Sequence, residues 1–534
     1  MTGKTPPPED DIELLARMEK EYDLGYDIQA EDKYYAVSKK SRLAKPLEPS
    51  TNSELYRKLQ LDSRLIRGVL PTQRNLTAAL QHAMQLASEN PLILSRRACR
   101  IGDDVWYDLK NNDGTALHIS ADQTNLRVEQ TPASICWLHD STMGEVTISD
   151  PMPIIDLKSQ FLRFADLIRQ DVDTAAQLIA VAVHCLLHPA GPSSQPPLVV
   201  LEGPQGAGKT TTSLLLHDLT DPETDRVEIS AACLNVETLQ MLASMHMQIV
   251  LGNASKMDPK VFDTLCVMVT GGISTTRKLY SQTEMASWRL HCQTILTGIS
   301  VGRLPEDIIS RMIHIDLMPS ARSMTEARLW RIWDESSSAL RMMLWQTCQR
   351  VLRMEHDDEI PSDNLGARLR DYEMTLRAVD MIFGADGEKA WLNTLSMEQH
   401  EQGSDDPVYM AIIHCWNKLE GKTFTGEELY AVLRPTFTLL AGGNAGTQRL
   451  APGSARSLSA SMARVLSVLE SVGIAVVPIQ SGGHKGRKWQ FKLADGVLKP
   501  PPDQLIGPHQ RALDDMAPDA TSERRAAPSV SHSG

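Results

Sequence analysis

Eight consecutive residues, Gly203, Pro204, Gln205, Gly206, Ala207, Gly208, Lys209 and Thr210, carry the densest chemistry in the chain. Gly203, Gly208, Lys209 and Thr210 satisfy the spacing G-x-x-x-x-G-K-[ST]. A polyphosphate needs many donors converging at short range, and a loop without side chains lets its backbone N–H groups point inward. Lys209 adds a point charge at the β- and γ-phosphates, and the Thr210 hydroxyl is a ligand for Mg2+. Thr211 opens the following helix, whose positive N-terminal end faces the anion. The expected cofactors are ATP and Mg2+.

Such a loop works only if a strand and a helix hold it. Residues 198–202 read as a short buried strand, and Thr211 to Leu219 as a helix. Downstream, Met247 to Leu251 is an apolar strand ending in a polar turn, Pro259 to Val269 a helix, and Gln293 to Gly298 another strand. Between them Thr275 to Tyr280 is a basic hairpin candidate carrying Arg277 and Lys278, which could equally be solvated loop charges. Asp307 to Leu317 follows, with Arg311 ahead of a strand; the plainer reading of Arg311 is a surface arginine. Ser323-Met-Thr-Glu326 reads as a capping box opening a long helix, whose Trp330, Trp333 and Trp345 lie at helical spacing and read as core.

The 534 residues leave room for several units: a disordered 1–12, an α+β N-terminal domain at 13–150, a helical lead-in and linker at 151–197, the loop-bearing core with a helical extension at 198–400, a separate domain at 405–495, and a disordered tail at 500–534. Asn112-Asp-Gly marks a hairpin between two alternating runs in the first domain. Asp103, Asp104 and Asp108 beside it read as solvated carboxylates rather than metal ligands. The eight cysteines are scattered, with no C-x-x-C pair, which favours a reducing, cytoplasmic setting. No apolar h-region opens the chain, and the most apolar run, Leu178 to Leu187, is too short to span a bilayer, so no membrane partner is expected.

The net charge of −13 argues against a protein that coats polyanions generally, yet charge is unevenly placed. Over residues 442–499, Arg449, Arg456, Arg464, Lys485, Arg487, Lys488, Lys492 and Lys499 face only Glu470 and Asp495. Three helices followed by a strand–loop–strand in residues 405–495 suggest a winged helix. That fold serves DNA backbones and protein partners alike; the basic surplus favours DNA, with Arg464, Lys485, Arg487 and Lys488 as contacts.

The order of glycine-rich loop, apolar strand, basic hairpin, second strand and arginine resembles the ATPase core of superfamily-3 (AAA+-like) helicases. More closely it resembles the primase-helicase-like ATP-binding proteins of phages and other mobile elements, over roughly residues 30–495. The resemblance implies a multidomain α/β chain: an α+β N-terminal region, a P-loop core with a parallel sheet, and a C-terminal winged helix. It implies a homo-oligomeric ring acting on single-stranded or duplex DNA, with Arg311 completing a neighbouring subunit's ATP site and Arg277 and Lys278 gripping DNA. Two positions depart from it. An acid is expected after Leu251, where Gly252 stands, with Asp258 the nearest acid beyond it. A sensor asparagine is expected where Thr297 stands, and a hydroxyl can still hold water. The sequence therefore supports nucleotide binding and leaves three functions open: an ATP-hydrolysing DNA motor with Lys209, Thr297 and Arg311 in catalytic roles, an ATP-binding scaffold without hydrolysis, and a winged-helix regulator with ATP as ligand.

Overall fold

A computed structural model describes residues 7–29, 33–111, 113–148, 153, 155–189, 196–254, 257–269, 272–277, 285–298, 306–319, 324–363, 365, 367–403, 406–441, 451–471, 473–479 and 488–493. The chain forms two compact units, Met1–Trp391 and Leu392–Gly534. It is a mixed α/β protein containing a parallel sheet.

The first unit holds the N-terminal elements and the loop-bearing sheet together. Its opening helix, Asp11–Glu21, starts from a capping box in which Asp10 accepts from the Glu13 amide and Glu13 accepts from the Asp10 amide. Residues 9–12, expected within a disordered lead, are therefore ordered, and Glu9 is buried against Arg17 at 3.3 Å. This helix and Gln73–Ala87 cover a four-stranded sheet in the order Ala44–Pro46, Tyr34–Ser38, Tyr22–Asp27, Pro91–Leu92. An antiparallel meander follows: Ala98–Ile101, Asp104–Asp108, Thr115–Ser120 and Arg127–Gln130. The first alternating run thus turns back on itself at Gly102 (φ 62°) before the expected hairpin joins Asp104–Asp108 to Thr115–Ser120.

The parallel sheet has five strands, in the order Ile229–Ser230, Gln248–Gly252, Gln293–Thr297, Leu198–Glu202, Met312–Asp316. The loop strand, Leu198–Glu202, is interior, paired with Gln293–Thr297 on one side and Met312–Asp316 on the other. Its residues Leu198 to Leu201 are buried, the continuous apolar run expected of a parallel strand covered on both faces. The loop helix, Lys209–Thr220, packs across the sheet, and His217 Nε2 lies 3.1 Å from the Gln248 carbonyl oxygen. The helix Val172–Leu187 is buried nearly all round, as an apolar helix inside a large core should be.

The long helix Glu326–His356 has Thr325 as its N-cap, with no side-chain cap bond; Ser323 of the expected capping box lies outside the described residues. Trp333 and Trp345 are core, as expected, while Trp330 lies half-buried under the Arg226 guanidinium, 4.7 Å from its ring centre. Gln349 on this helix donates to the carbonyls of Ser120 and Gln123. Such bonds fasten the N-terminal meander to the rest of the first unit, so the expected boundary near 150 is not a break between compact bodies.

The second unit contains helices Pro407–His414, Trp416–Leu419, Gly426–Ala441 and Ala455–Ser471 and a three-stranded antiparallel sheet ordered Thr423–Thr425, Lys488–Leu493, Ile474–Ile479. The first helical stretch is divided at Cys415 into two helices, and the three-residue strand Thr423–Thr425 is an addition to the expected helices and strand–loop–strand. Trp416, Leu429, Leu458, Leu469, Trp489 and Phe491 meet in its core.

One buried acid gives a pH test of the first unit. Asp380 accepts from the amides of Gly387 (3.0 Å) and Glu388 (2.8 Å), and burial pushes its carboxyl up to about 6 despite those two bonds. A folded-state value above the unfolded one near 3.9 means that the folded protein binds more protons between them. Its contribution is fully present below about pH 3.9 and is lost as pH rises through about 6. Asp380→Asn keeps an acceptor without the charge. Thermal melts should show it gaining on the wild type between pH 4 and pH 7; parallel melting curves would refute the assignment.

Candidate functional site

The glycine-rich loop leaves the carboxyl end of an interior parallel strand, where open α/β sheets hold their ligands. Gly203, Gly206 and Gly208 adopt φ of 144°, 83° and 88°, which side-chain-bearing residues rarely adopt. Gly203 has a second constraint, because a Cβ there would collide with the Leu317 carbonyl oxygen and lie 3.2 Å from the Ala207 Cβ. The Lys209 ammonium donates to the carbonyls of Gly203 (2.7 Å) and Pro204 (2.8 Å), which holds it across the loop's concave side. Gly208 is the N-cap of the loop helix and offers no capping side chain, so the amides of the first turn remain for a ligand. Pro204, Gln205, Gly206 and Thr210 are exposed, Thr211 is half-buried and Ala207 is buried. The expected phosphate-holding residues are thus mostly accessible, with Thr210 exposed in the first turn of the loop helix.

The neighbouring strand ends bring together residues that the sequence reading treated separately. The strand pairings put Val250 opposite Ile295, Leu251 opposite Leu296 and Leu201 opposite Thr297. Gly252, Thr297 and the end of the loop strand therefore lie in one row. Glu228 reaches into that row from the residue just before the edge strand Ile229–Ser230. A Cβ on Gly252 would lie 2.8 Å from Glu228 Oε2 and closer still to the rest of that carboxylate. The Thr297 hydroxyl donates to Glu228 Oε2 at 3.4 Å.

Position 252 itself carries no acid, as read from the sequence; the carboxylate beside it belongs to Glu228, ahead of the edge strand, and Gly252 leaves room for it. Asp258, the only acid considered as a substitute, caps its own helix by accepting from the Lys260 amide at 2.8 Å.

The segment leading to Glu228 is braced on several sides. Arg226 donates to Asp218 of the loop helix (3.3 Å) and to Asp334 (2.7 Å). Asp218 also accepts from Trp333 Nε1 (2.6 Å) and Arg341 (2.7 Å). Upstream, the Gly144 amide donates to the Pro222 carbonyl and the Thr224 amide to the Thr142 carbonyl.

Arg311 sits elsewhere. Its carbonyl accepts from the Leu198 amide at 3.2 Å, so it lies where the loop strand begins. The loop lies where that strand ends, five residues on, which at strand rise is about 16 Å away. Arg311 and the loop of one chain are not brought together. The basic hairpin forms, Ile273–Arg277 pairing antiparallel with Met285–Arg289. Its turn with Lys278, the side chain of Arg277, the side chain of Arg464, and Lys485 and Arg487 all lie outside the described residues, as do the tail 500–534 and the loop 442–450. Lys488 is half-buried at the start of its strand.

The three hairpin aspartates do not converge on a metal. Asp103 is exposed and faces His356, and Asp104 is half-buried and faces His118, but Asp108, expected to be solvated, is buried with its carboxylate on His139. Among the described residues, Glu202, His314 and Asp316 do converge, with ligand atoms within 4.8 Å of one another on adjacent strands. His314 Nε2 is 3.5 Å from each carboxylate, an ordinary histidine–acid cluster. All eight cysteines are free thiols. No helix among the described residues is long and apolar enough to cross a membrane.

Residues 160–396 match a family model described as actinomycete integrative conjugative element replication protein. The match covers somewhat less than half of the chain and includes all five parallel strands, the glycine-rich loop and Glu228. The similarity agrees with the link to mobile elements drawn from the motifs. No curated protein is significantly similar to the chain.

Proposed function

We propose that the protein is an ATP-binding, DNA-associated replication protein of an integrated mobile element, with a P-loop core of the superfamily-3, AAA+-like kind. The observation that carries this reading is the loop itself: three glycines at positive φ at the carboxyl end of an interior parallel strand, with Lys209 laid across them. Mg2+, when bound, would neutralise phosphate charge beside the Thr210 hydroxyl. The strand order fits the reading too, because one strand, Gln293–Thr297, separates the loop strand from the Gly252 strand.

DNA would be held by the hairpin with Arg277 and Lys278 and by the C-terminal unit, read as a winged helix with Arg464, Lys485, Arg487 and Lys488 on its basic side. The order of two helices, short strand, two helices and two strands among the described residues of that unit supports the reading. Assembly into a homo-oligomeric ring would let Arg311 of one copy serve the loop of the next, as its distance from its own loop requires. The similarity to replication proteins of conjugative elements supports unwinding or remodelling of DNA as the output. A second reading, an ATP-binding scaffold without turnover, is favoured by one observation: the strand end that should carry an acid carries Gly252.

The test is nucleotide affinity of the full chain with Mg2+ present, measured by a fluorescent ATP analogue. Lys209→Ala removes a charge-assisted contact and should weaken binding about 10–100-fold. Equal affinity in the variant and the wild type would remove the loop from the function.

A further inference from the structure

We propose that Glu228 is the carboxylate that activates water at the nucleotide site, so that the site hydrolyses ATP although its expected strand position holds glycine. The inference rests on ATP binding at the glycine-rich loop as read above.

Four observations carry it. Thr297 and Gly252 form the row of strand ends that continues to the loop strand, and the Glu228 carboxylate occupies that row. Gly252 is the one residue type compatible with the carboxylate's position, since any Cβ would overlap it. Among the described residues Glu228 makes no ion pair, and its hydrogen bond is the 3.4 Å one from Thr297 Oγ1 to Oε2. A structural carboxylate in a half-buried place is normally tied to a cation, whereas a base needs a lone pair to spare. Finally, Arg226, two residues upstream, is clamped to Asp218 on the loop helix, so Glu228 and Lys209 are positioned by the same helix. Thr297 is a positioning residue in this scheme, steering the carboxylate through its hydroxyl.

The chemistry balances without a further reactant. The oxygen of a water attacks the γ-phosphorus while one of its protons passes to the Glu228 carboxylate. The bond from the γ-phosphorus to the β–γ bridging oxygen breaks, and that oxygen leaves with ADP. Inorganic phosphate departs, and Glu228 returns its proton to solvent.

The test uses the full chain with Mg2+, reading both nucleotide affinity and phosphate release. Glu228→Gln should bind ATP as tightly as the wild type and lose turnover by about 10²-fold or more, the usual contribution of a general base. Gly252→Ala should keep its melting temperature, because the displaced atoms are the far end of a flexible side chain, and still lose turnover by pushing the carboxylate aside. The relocated acid is the decisive arm: Glu228→Gly combined with Gly252→Asp should recover at least tenfold over Glu228→Gly alone. Turnover unchanged in Glu228→Gln, or a wild type that binds ATP and never releases phosphate, overturns the role of Glu228 and leaves ATP binding standing. A wild type with no measurable ATP affinity overturns both.

Discussion

Arg311→Ala lowers ATP turnover by about 10³-fold or more while leaving ATP affinity within error of the wild type, measured on the assembled protein with DNA present. The size follows from the chemistry: a γ-phosphoryl group in transfer spreads negative charge over its oxygens, and a guanidinium arriving only at that stage is felt in rate and hardly in binding. The expectation that Arg311 would act on a neighbouring copy rests on where the fold puts it. Arg311 hydrogen-bonds through its backbone to Leu198, at the start of the strand whose other end bears the loop, about 16 Å away. No arginine side chain bridges that span, so an effect on turnover must act on another copy's nucleotide. Mixing separates this from a local defect. Lys209→Ala chains lack a working loop and Arg311→Ala chains lack a working arginine, but a mixed assembly contains interfaces with both intact. Phosphate release from the mixture should exceed that of either variant alone. If mixing recovers nothing, or if Arg311→Ala weakens ATP binding as much as turnover, Arg311 is a structural residue of its turn.

What the sequence made legible, and what it did not, divides by how local the information is. Gly203 to Thr210 could be read because eight adjacent residues specify both a backbone shape and a charge. The apolar runs at Leu198, Gln248 and Gln293 could be read as strands because a parallel strand buried on both faces needs no neighbour to declare itself. Glu228 could not. Twenty-four residues separate it from Gly252, the edge strand after it is two residues long, and nothing in its neighbourhood distinguishes it from a surface acid. The one available signal was indirect: a glycine ending an otherwise apolar strand marks a close approach by something, as well as a lost side chain. Gly252 is at once a missing acid and the space that the Glu228 carboxylate fills.

The same contrast explains the smaller misreadings. The helical run from Val408 onward is interrupted at Cys415, where nothing in the adjacent residues announces a break. Thr423–Thr425 is a strand only because Thr423, Phe424 and Thr425 pair with Gln490, Trp489 and Lys488, some sixty-five residues on. Charges were legible as a count and not as a face, since a basic surplus over 442–499 says nothing of which helix side bears it.

Arg97→Met should destabilise the first unit by about 3–5 kcal/mol, the cost of leaving a buried acid without its partner. In a thermal melt of a unit this large that is a fall of about 4–6 °C. Arg97 is 0% exposed, and each of its three nitrogens donates: Nε to Asp221 (2.8 Å), Nη1 to the Asp108 carbonyl (3.1 Å), and Nη2 to the carbonyls of Gly144 and Pro222 (both 3.0 Å). Methionine matches much of its length and donates nothing, so Asp221 and the carbonyls of Asp108 and Gly144 lose the Arg97 donor in a place water cannot readily enter, while the Pro222 carbonyl keeps the Gly144 amide. Adding Asp221→Leu removes the stranded charge and should recover part of the loss, a coupling that two independent sites would not show. The functional consequence is specific. Asp221 and Pro222 begin the segment that runs through Arg226 to Glu228, so Arg97 fastens the N-terminal meander to the strap that holds the carboxylate against Gly252. Below its melting range, Arg97→Met should therefore release phosphate more slowly than the wild type at equal ATP affinity. A variant that melts early yet turns over normally when folded would show that the strap is held by Arg226 and its partners alone.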